Sequence, residues 1–143
     1  HHKPDSLFVR LFAPAEPHTI TKKGRSCTSC HTNSLAIGYG RGQLTFIVDD
    51  DQSHWVFEPE YSDNKADGLP MDAWTGFLKD PSSFVSTRTN FRPFNIEEQK
   101  RILTVGACFT CHKEKGQITQ KSLDRDFGEY LKIMSPECRK PIF

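Results

Sequence analysis

The chain has 143 residues, a length that suits one domain or two small lobes, and its 19 basic and 18 acidic residues give a formal net charge of +1. That balance gives no case for binding nucleic acid or an anionic membrane surface. Apolar residues make up 36% of the chain, which implies a limited side-chain core, and no apolar run approaches the roughly 18 residues of a transmembrane helix.

The N-terminal segment, residues 1–25, contains three prolines and keeps no helical or strand period. Prolines at this density, without a helical or strand pattern, predict an extended arm that lies across the rest of the protein or across a neighbouring protein. His1 and His2 are compatible with a processed terminus, with a tag remnant or with the cut end of a longer chain, and the sequence leaves these three open.

The next feature is a short motif that occurs twice, as CTSCH at 27–31 and as CFTCH at 108–112. Both copies read C-x-x-C-H, the attachment signature of c-type haem. Two thiols on one turn of backbone can add to the two vinyl groups of a haem, and the histidine that follows can bind the iron as its proximal ligand. The residues predicted to bind two covalent haem c groups in this way are Cys27, Cys30, His31, Cys108, Cys111 and His112.

Three other kinds of site use paired cysteines. Structural zinc sites usually place the second pair about 15–20 residues after the first, whereas 77 residues separate Cys30 from Cys108. A thioredoxin-like redox site predicts one motif beside a βαβ pattern, and a disulfide framework does not explain the repeated histidine. Zinc is the strongest of these alternatives, and two haems are favoured over it.

Between the first motif and the next element, Gly38, Gly40 and Gly42 alternate along the chain. Their lack of side chains favours a backbone that turns closely around a haem edge. Residues 43–58 then carry the clearest strand signal, with β-branched and aromatic segments on both sides of an acidic turn. We predict a β-hairpin over about 43–58.

Residues 58–94 are rich in proline and are predicted to be loops. Asn95 is a typical N-cap, and Glu98 three residues later completes a capping-box pattern. These signals predict a helix over about 95–106, which Gly106 ends just before the second motif.

A second helix is predicted over about 123–134, where apolar residues at i, i+4, i+7, i+8 and i+11 form one stripe that ends at Ser135-Pro136. This stripe fits a packing face against the second haem. Cys138 is the odd cysteine, and for it a partner in another chain and a buried, inert position are both open.

Two further histidines and a methionine are candidates for the sixth coordination position of the irons. His18 lies nine residues before Cys27, and His54 lies in the predicted hairpin, so both are candidate distal iron ligands. Met71, close to Trp74, is the alternative ligand. An ordinary solvated histidine, or a methionine that fills the core, stays open for each of the three.

The two motifs resemble those of c-type cytochromes in general. Residues 17–42 and 92–112, which read PHTITKKGRSCTSCHTNSLAIGYGRG and RPFNIEEQKRILTVGACFTCH, resemble pieces of large bacterial multihaem cytochromes c. The resemblance implies irons with two histidine ligands and electron transfer along stacked haems. It assigns the six motif residues and His18 to these roles. Two haems in 143 residues is a sparse complement for that family.

With this resemblance, the elements predict a mostly irregular, haem-organised cytochrome c fold with a few short helices and one hairpin. The extended arm at 1–25 precedes a dihaem domain at 26–143. Within that domain we expect a haem 1 lobe at about 26–60 and a haem 2 lobe at about 90–135.

We expect an electron carrier rather than an enzyme for two reasons. Six histidines are enough to fill the protein-ligand positions of both irons, and the sequence contains no recognisable group of catalytic residues. The expected partners are redox proteins, identical subunits of an extracellular filament, or other chains of a multihaem respiratory complex. A dihaem peroxidase or other oxidoreductase is the less favoured alternative. Because haem is attached outside the cytoplasm in bacteria, we expect a processed, periplasmic or extracellular protein that is secreted before attachment.

Overall fold

The computed structural model describes residues 8–12, 22, 24, 26–50, 52–112, 116–123, 129, 132, 138 and 140–143. Within these residues the chain is a small mixed α/β protein with four short helices and two two-stranded sheets. In chain order the elements are β1 (Arg10–Phe12), α1 (Cys27–His31), α2 (Ser34–Ile37), β2 (Gly42–Ile47), β3 (His54–Pro59), β4 (Phe84–Ser86), α3 (Ile96–Cys111) and α4 (Gln117–Leu123). The haem-organised fold and the two haem lobes stay predictions.

Strands β2 and β3 pair antiparallel along their whole length, which confirms the hairpin predicted over about 43–58. Leu44 lies opposite Phe57 and Phe46 lies opposite Trp55, so apolar side chains meet across the two strands on one face. Trp55 is only 4% exposed because this face packs on α3. The hairpin therefore supplies one wall of the core.

The side-chain core lies between the hairpin, the end of α2 and α3. The Nε1 atom of Trp55 donates a hydrogen bond to the carbonyl oxygen of Leu103 at 2.8 Å. The ring of Tyr39 lies 5.5 Å from that of Phe57 and 5.3 Å from that of Phe77. Among the described residues, the buried members of this core are Ile37, Tyr39, Trp55, Leu103 and Ala107.

A glutamine lies at the centre of this core. Gln99 is fully buried, and its Oε1 atom accepts hydrogen bonds from the Tyr39 hydroxyl at 2.7 Å and from the backbone N–H of Leu78 at 3.0 Å. Its Nε2 atom donates to the carbonyls of Lys79 at 2.8 Å and Phe94 at 3.0 Å. Burial raises the pKa of the Tyr39 hydroxyl well above its ordinary value, so this group stays a donor. The amide thus joins α3 to the loop before it.

The N-terminal strand is held by a buried arginine. β1 pairs in parallel with β4, and Arg10 is 8% exposed. Its Nε and Nη2 atoms donate to the two carboxylate oxygens of Asp67 at 2.5 and 2.9 Å. The remaining donors reach the carbonyls of Leu69, Met71 and Ala73 at 2.7–3.2 Å. β1 belongs to the segment predicted as an extended arm, most of which lies outside the described residues.

Helix α3 begins as predicted and ends later than predicted. The Asn95 side chain accepts from the backbone N–H of Glu98, and the Glu98 carboxylate accepts from the N–H of Asn95, which confirms the capping box. The predicted end at Gly106 is wrong, because the helix continues to Cys111 and so includes both cysteines of the second motif. Gly106 is a buried contact point inside the helix rather than its C-terminal signal.

The alternating glycines lie close to other parts of the chain, and the haem edge expected beside them stays a prediction. Gly38, at φ 107°, is the C-cap of α2. A Cβ atom on Gly40 would collide with the carboxylate of Asp72, and one on Gly42 would lie 2.9 Å from the Cα atom of Pro59. The close approach comes from the loop at 72–75 and from β3.

The C-terminal part is described only in pieces. α4 at Gln117–Leu123 was not predicted, and its N-terminal end follows Gly116. Most of the helix predicted over about 123–134 lies outside the described residues, but residues 123, 129 and 132 are all helical. Its apolar stripe therefore stays a prediction.

Candidate functional site

The first motif forms a helix of its own. α1 spans Cys27–His31, and the side-chain oxygen of Ser26 accepts from the N–H of Ser29 at 3.1 Å, which caps its N-terminus. Cys27 and Cys30 are therefore three positions apart on one helical turn and lie on the same side of it. Both thiols are exposed to solvent, where a planar ligand can reach them.

The imidazole of His31 is held in one tautomer. Its Nδ1 atom lies 3.0 Å from the carbonyl oxygen of Ile102 in α3. A carbonyl oxygen only accepts, so Nδ1 is the donor in this contact, which leaves Nε2 of the neutral imidazole with a lone pair that can bind a metal. The ring also meets the ring of Phe109 edge-on, with centroids 5.9 Å apart.

The second motif forms the last turn of α3. Cys108 and Cys111 are again three positions apart, and His112 is the C-cap residue, whose N–H donates to the Cys108 carbonyl at 2.8 Å. The backbone of His112 is extended, so its half-buried side chain leaves the helix directly after the cysteines.

The four motif thiols are not equivalent. Cys27, Cys30 and Cys111 are exposed, whereas Cys108 is partly buried. Burial first, and then the nearby thiols of Cys138 and Cys111, raise the pKa of Cys108 to about 11. Its Sγ atom donates to the Thr104 carbonyl at 3.6 Å. The Cys108 thiol is therefore protonated at neutral pH.

The two motifs pack against each other. A Cβ atom on Gly106 would lie 2.7 Å from the carbonyl oxygen of His31 and 3.3 Å from the Cγ2 atom of Thr32. Only glycine therefore lets α1 approach α3 this closely. Sequence reasoning missed this contact because a glycine near the end of a helical pattern is also a helix-stop signal.

The candidate distal ligands lie elsewhere. His18, like His1 and His2, is outside the described residues. His54 is half-buried at the start of β3, opposite Ile47, and alternation along the strand places its side chain on the face opposite Trp55. Met71 is 56% exposed, and its carbonyl accepts from Arg10. Sixth-position ligation by any of these residues stays a prediction.

Within the described residues, no three or more His, Cys, Asp or Glu side chains are grouped so that they could hold a metal ion. In the same part of the chain, no helix is both long and apolar enough to cross a membrane. Comparisons with protein-family models, with curated proteins and with solved structures found no match to this chain. The likeness to multihaem cytochromes c therefore rests on the two motifs and on the segments quoted above.

Proposed function

We propose that this chain is an electron-transfer protein with two covalently attached haem c groups. The observation that carries the proposal is the repeated C-x-x-C-H motif, each copy of which places two thiols on one helical turn directly before a histidine. Bound haem supplies one-electron redox chemistry. The chain supplies two thioether attachments and one proximal ligand for each haem.

The residues fit such a group in three respects. The Cys27 and Cys30 thiols are exposed on one side of α1, as the attachment of a flat macrocycle requires. The His31 tautomer leaves Nε2 able to bind iron. A structural zinc site needs about four grouped ligands, and the described residues contain no group of even three, whereas each attachment motif has to supply only its two thiols and its own proximal nitrogen.

Electron transfer is favoured over catalysis because the two motifs pack directly on each other through Gly106. Adjacent motifs of this kind would hold two haems close enough to each other for electron exchange. His18 and His54 are the proposed distal ligands, with Met71 as the alternative. Two strong protein ligands on each iron would keep its coordination unchanged between oxidation states and would leave no open position for a small-molecule substrate.

The proposal includes the setting in which such a protein works. Covalent attachment implies a periplasmic or extracellular location. The partners are redox proteins, identical subunits of a filament, or other chains of a multihaem complex. The near-zero formal charge gives no preference for a strongly charged partner surface.

Intact-mass measurement tests this proposal on protein expressed in a bacterial periplasm together with a haem-attachment pathway. We expect a mass increment of two haems for the wild type, and of one haem for each of the double variants Cys27→Ala/Cys30→Ala and Cys108→Ala/Cys111→Ala. Cys138→Ala is the matched control and should keep both. A wild-type chain without a haem increment, or with bound zinc, contradicts the proposal.

A second measurement separates electron transfer from catalysis. Six-coordinate irons in the reduced wild-type protein should not bind CO rapidly. Rapid CO or cyanide binding by the resting protein would instead favour a dihaem oxidoreductase, which needs an open sixth position.

A further inference from the structure

We infer that α3, the helix that carries the second attachment motif, also positions the proximal histidine of the first, with Ile102 and Gly106 as the positioning residues. The inference rests on the proposed function and extends it, because it makes the electronic state of one haem depend on the helix that holds the other. Three independent contacts between α1 and α3 carry it.

The first contact is the hydrogen bond from His31 to Ile102. The two residues are 71 positions apart, and the carbonyl that accepts belongs to the backbone of α3. A helical carbonyl already accepts from the N–H four residues later, but its second lone pair is free for another donor. The partner of the imidazole is therefore part of the helix itself and does not depend on a side chain at position 102.

The second contact is the close approach of the His31 backbone to Gly106, one helical turn after Ile102. It is possible because glycine has no side chain. A Cβ atom there would lie 2.7 Å from the carbonyl oxygen and 3.4 Å from the carbonyl carbon of His31. Both atoms are backbone, so they cannot move aside as the end of a flexible side chain can. Gly106 thus sets the distance between α1 and α3 at which the imidazole reaches Ile102.

The third contact is the edge-on pair of His31 and Phe109, at a centroid distance of 5.9 Å. Phe109 lies between the two cysteines of the second motif. A residue of the second haem site therefore borders the metal-binding side chain of the first, which limits rotation of the imidazole about its Nδ1 hydrogen bond.

These contacts predict an effect on the first haem alone. A hydrogen bond from the Nδ1–H group to a carbonyl makes the imidazole a stronger electron donor. This favours the oxidised iron and lowers the midpoint potential of the first haem. If α1 moves away from α3, the hydrogen bond lengthens and that potential rises. The haem at Cys108 and Cys111 keeps its own ligands.

The test compares Gly106→Ala with Gly24→Ala in the holoprotein. Gly24 lies three residues before Cys27, and a Cβ atom there meets nothing within 4 Å, so it is a matched control for the first motif. Alanine is a better helix former than glycine, so a change in haem content or midpoint potential in Gly106→Ala cannot come from weaker helix propensity. Spectroelectrochemical titration gives both midpoint potentials, and the Cys27→Ala/Cys30→Ala variant assigns them.

For Gly106→Ala we expect the reduced-to-oxidised ratio of the first haem at a fixed potential to rise about tenfold, which for a one-electron couple is 59 mV. The second haem and both haems of Gly24→Ala should titrate as in the wild type. Loss of the first haem alone from Gly106→Ala also supports the inference. An unchanged titration, or an equal shift of both haems, overturns it.

A measurement on the wild type decides the case in which Gly106→Ala retains neither haem. In reduced, ¹⁵N-histidine-labelled holoprotein, the Nδ1 proton of His31 should exchange slowly with solvent and show its coupling to nitrogen by NMR. Rapid exchange of that proton overturns the inference. Each of these failures occurs in a protein that carries two haems, so it is distinct from failure of the proposed function, in which the haem increments are missing.

Discussion

The Nδ1 atom of His31 lies 3.0 Å from the carbonyl oxygen of Ile102, and the adjacent carbonyl, that of Leu103, accepts from the Trp55 indole at 2.8 Å. Successive residues of a helix point about 100° apart. α3 therefore holds α1 on one side and the hairpin on another through its own backbone. The helix that ends in the second motif thus organises the described structure, and Gln99 ties its first turns to the preceding loop.

The distal ligands give the first prediction. If His18 and His54 are the sixth ligands of the two irons, His18→Ala and His54→Ala should each leave one iron with an open sixth coordination position. Each reduced variant should then bind CO at one haem per chain. CO titration followed by absorption spectroscopy measures the stoichiometry. Met71→Leu is the control and should behave as the wild type. A long-wavelength Met–iron(III) charge-transfer band in the wild type that Met71→Leu abolishes would instead assign methionine to one iron.

The second prediction concerns the order of thiol reactivity in the haem-free chain. The thiolate is the reactive form, and burial raises the pKa of Cys108 to about 11, while Cys111 in the same motif is exposed. At pH 8, iodoacetamide should therefore modify Cys108 roughly tenfold or more slowly than Cys111. Peptide mass spectrometry follows both sites.

The pH dependence of that reaction has a definite sign. Because the pKa of Cys108 is raised in the folded chain, the fold favours the neutral thiol over the thiolate. The stability that comes from this preference is lost as the pH rises toward 11. The rate at Cys108 should rise over the same range, and denaturant should remove the difference between the two cysteines. Equal rates at pH 8 without denaturant would show that the last turn of α3 is open in the haem-free chain.

The third prediction concerns the buried amide. Gln99→Leu removes the partners of the Tyr39 hydroxyl and of the Leu78 N–H. Unpaired buried polar groups cost about 1–3 kcal/mol each, so the free energy of unfolding should fall by about 3 kcal/mol. Gln43→Leu, at an exposed position in β2, is the matched control and should change it by less than about 0.5 kcal/mol. Urea unfolding followed by circular dichroism measures both, and equal losses would contradict the role of Gln99.

Local signals predicted the elements that depend on neighbouring residues, and they failed where partners are distant in sequence. The capping box of Asn95 and Glu98 spans three residues and was predicted correctly. Gly106 gave an ambiguous signal, because a glycine both ends helices and permits close backbone contact. Its partner, His31, lies in another element and could not be inferred from the helical pattern.

The polar anchors of the fold were also beyond sequence reasoning. Arginine and glutamine are mostly exposed residue types, so nothing in the sequence marked Arg10 or Gln99 as buried. Arg10 finds its partners 57–63 positions along the chain, and β4, the strand that pairs with β1, is also distant in sequence. The candidate haem residues were identified because C-x-x-C-H is a local pattern whose chemistry needs no tertiary information.

The fourth prediction tests the arginine. Arg10→Met should lower the free energy of unfolding by about 3–5 kcal/mol, because it leaves the largely buried Asp67 carboxylate without its cation. Arg41→Met, at an exposed arginine, should change it by less than about 0.5 kcal/mol. Urea titrations at neutral pH compare the variants. If the two substitutions cost the same, the buried pair does not hold β1 in place.

The last prediction is a pH dependence at Asp67. The hydrogen bonds from Arg10 hold the pKa of this carboxyl below its ordinary value, so at acid pH the unfolded chain binds the proton more readily than the folded one. The stabilisation is therefore complete above an unfolded pKa of about 3.9 and is lost as the pH falls through the folded pKa. Asp67→Asn removes this pH-dependent stabilisation, so the free energy of unfolding of the variant should fall less steeply than that of the wild type below about pH 4. Asp50→Asn, at an exposed position, should keep the wild-type slope. Urea titrations across this range distinguish the variants, and parallel curves for Asp67→Asn and the wild type would show that the ion pair makes no pH-dependent contribution.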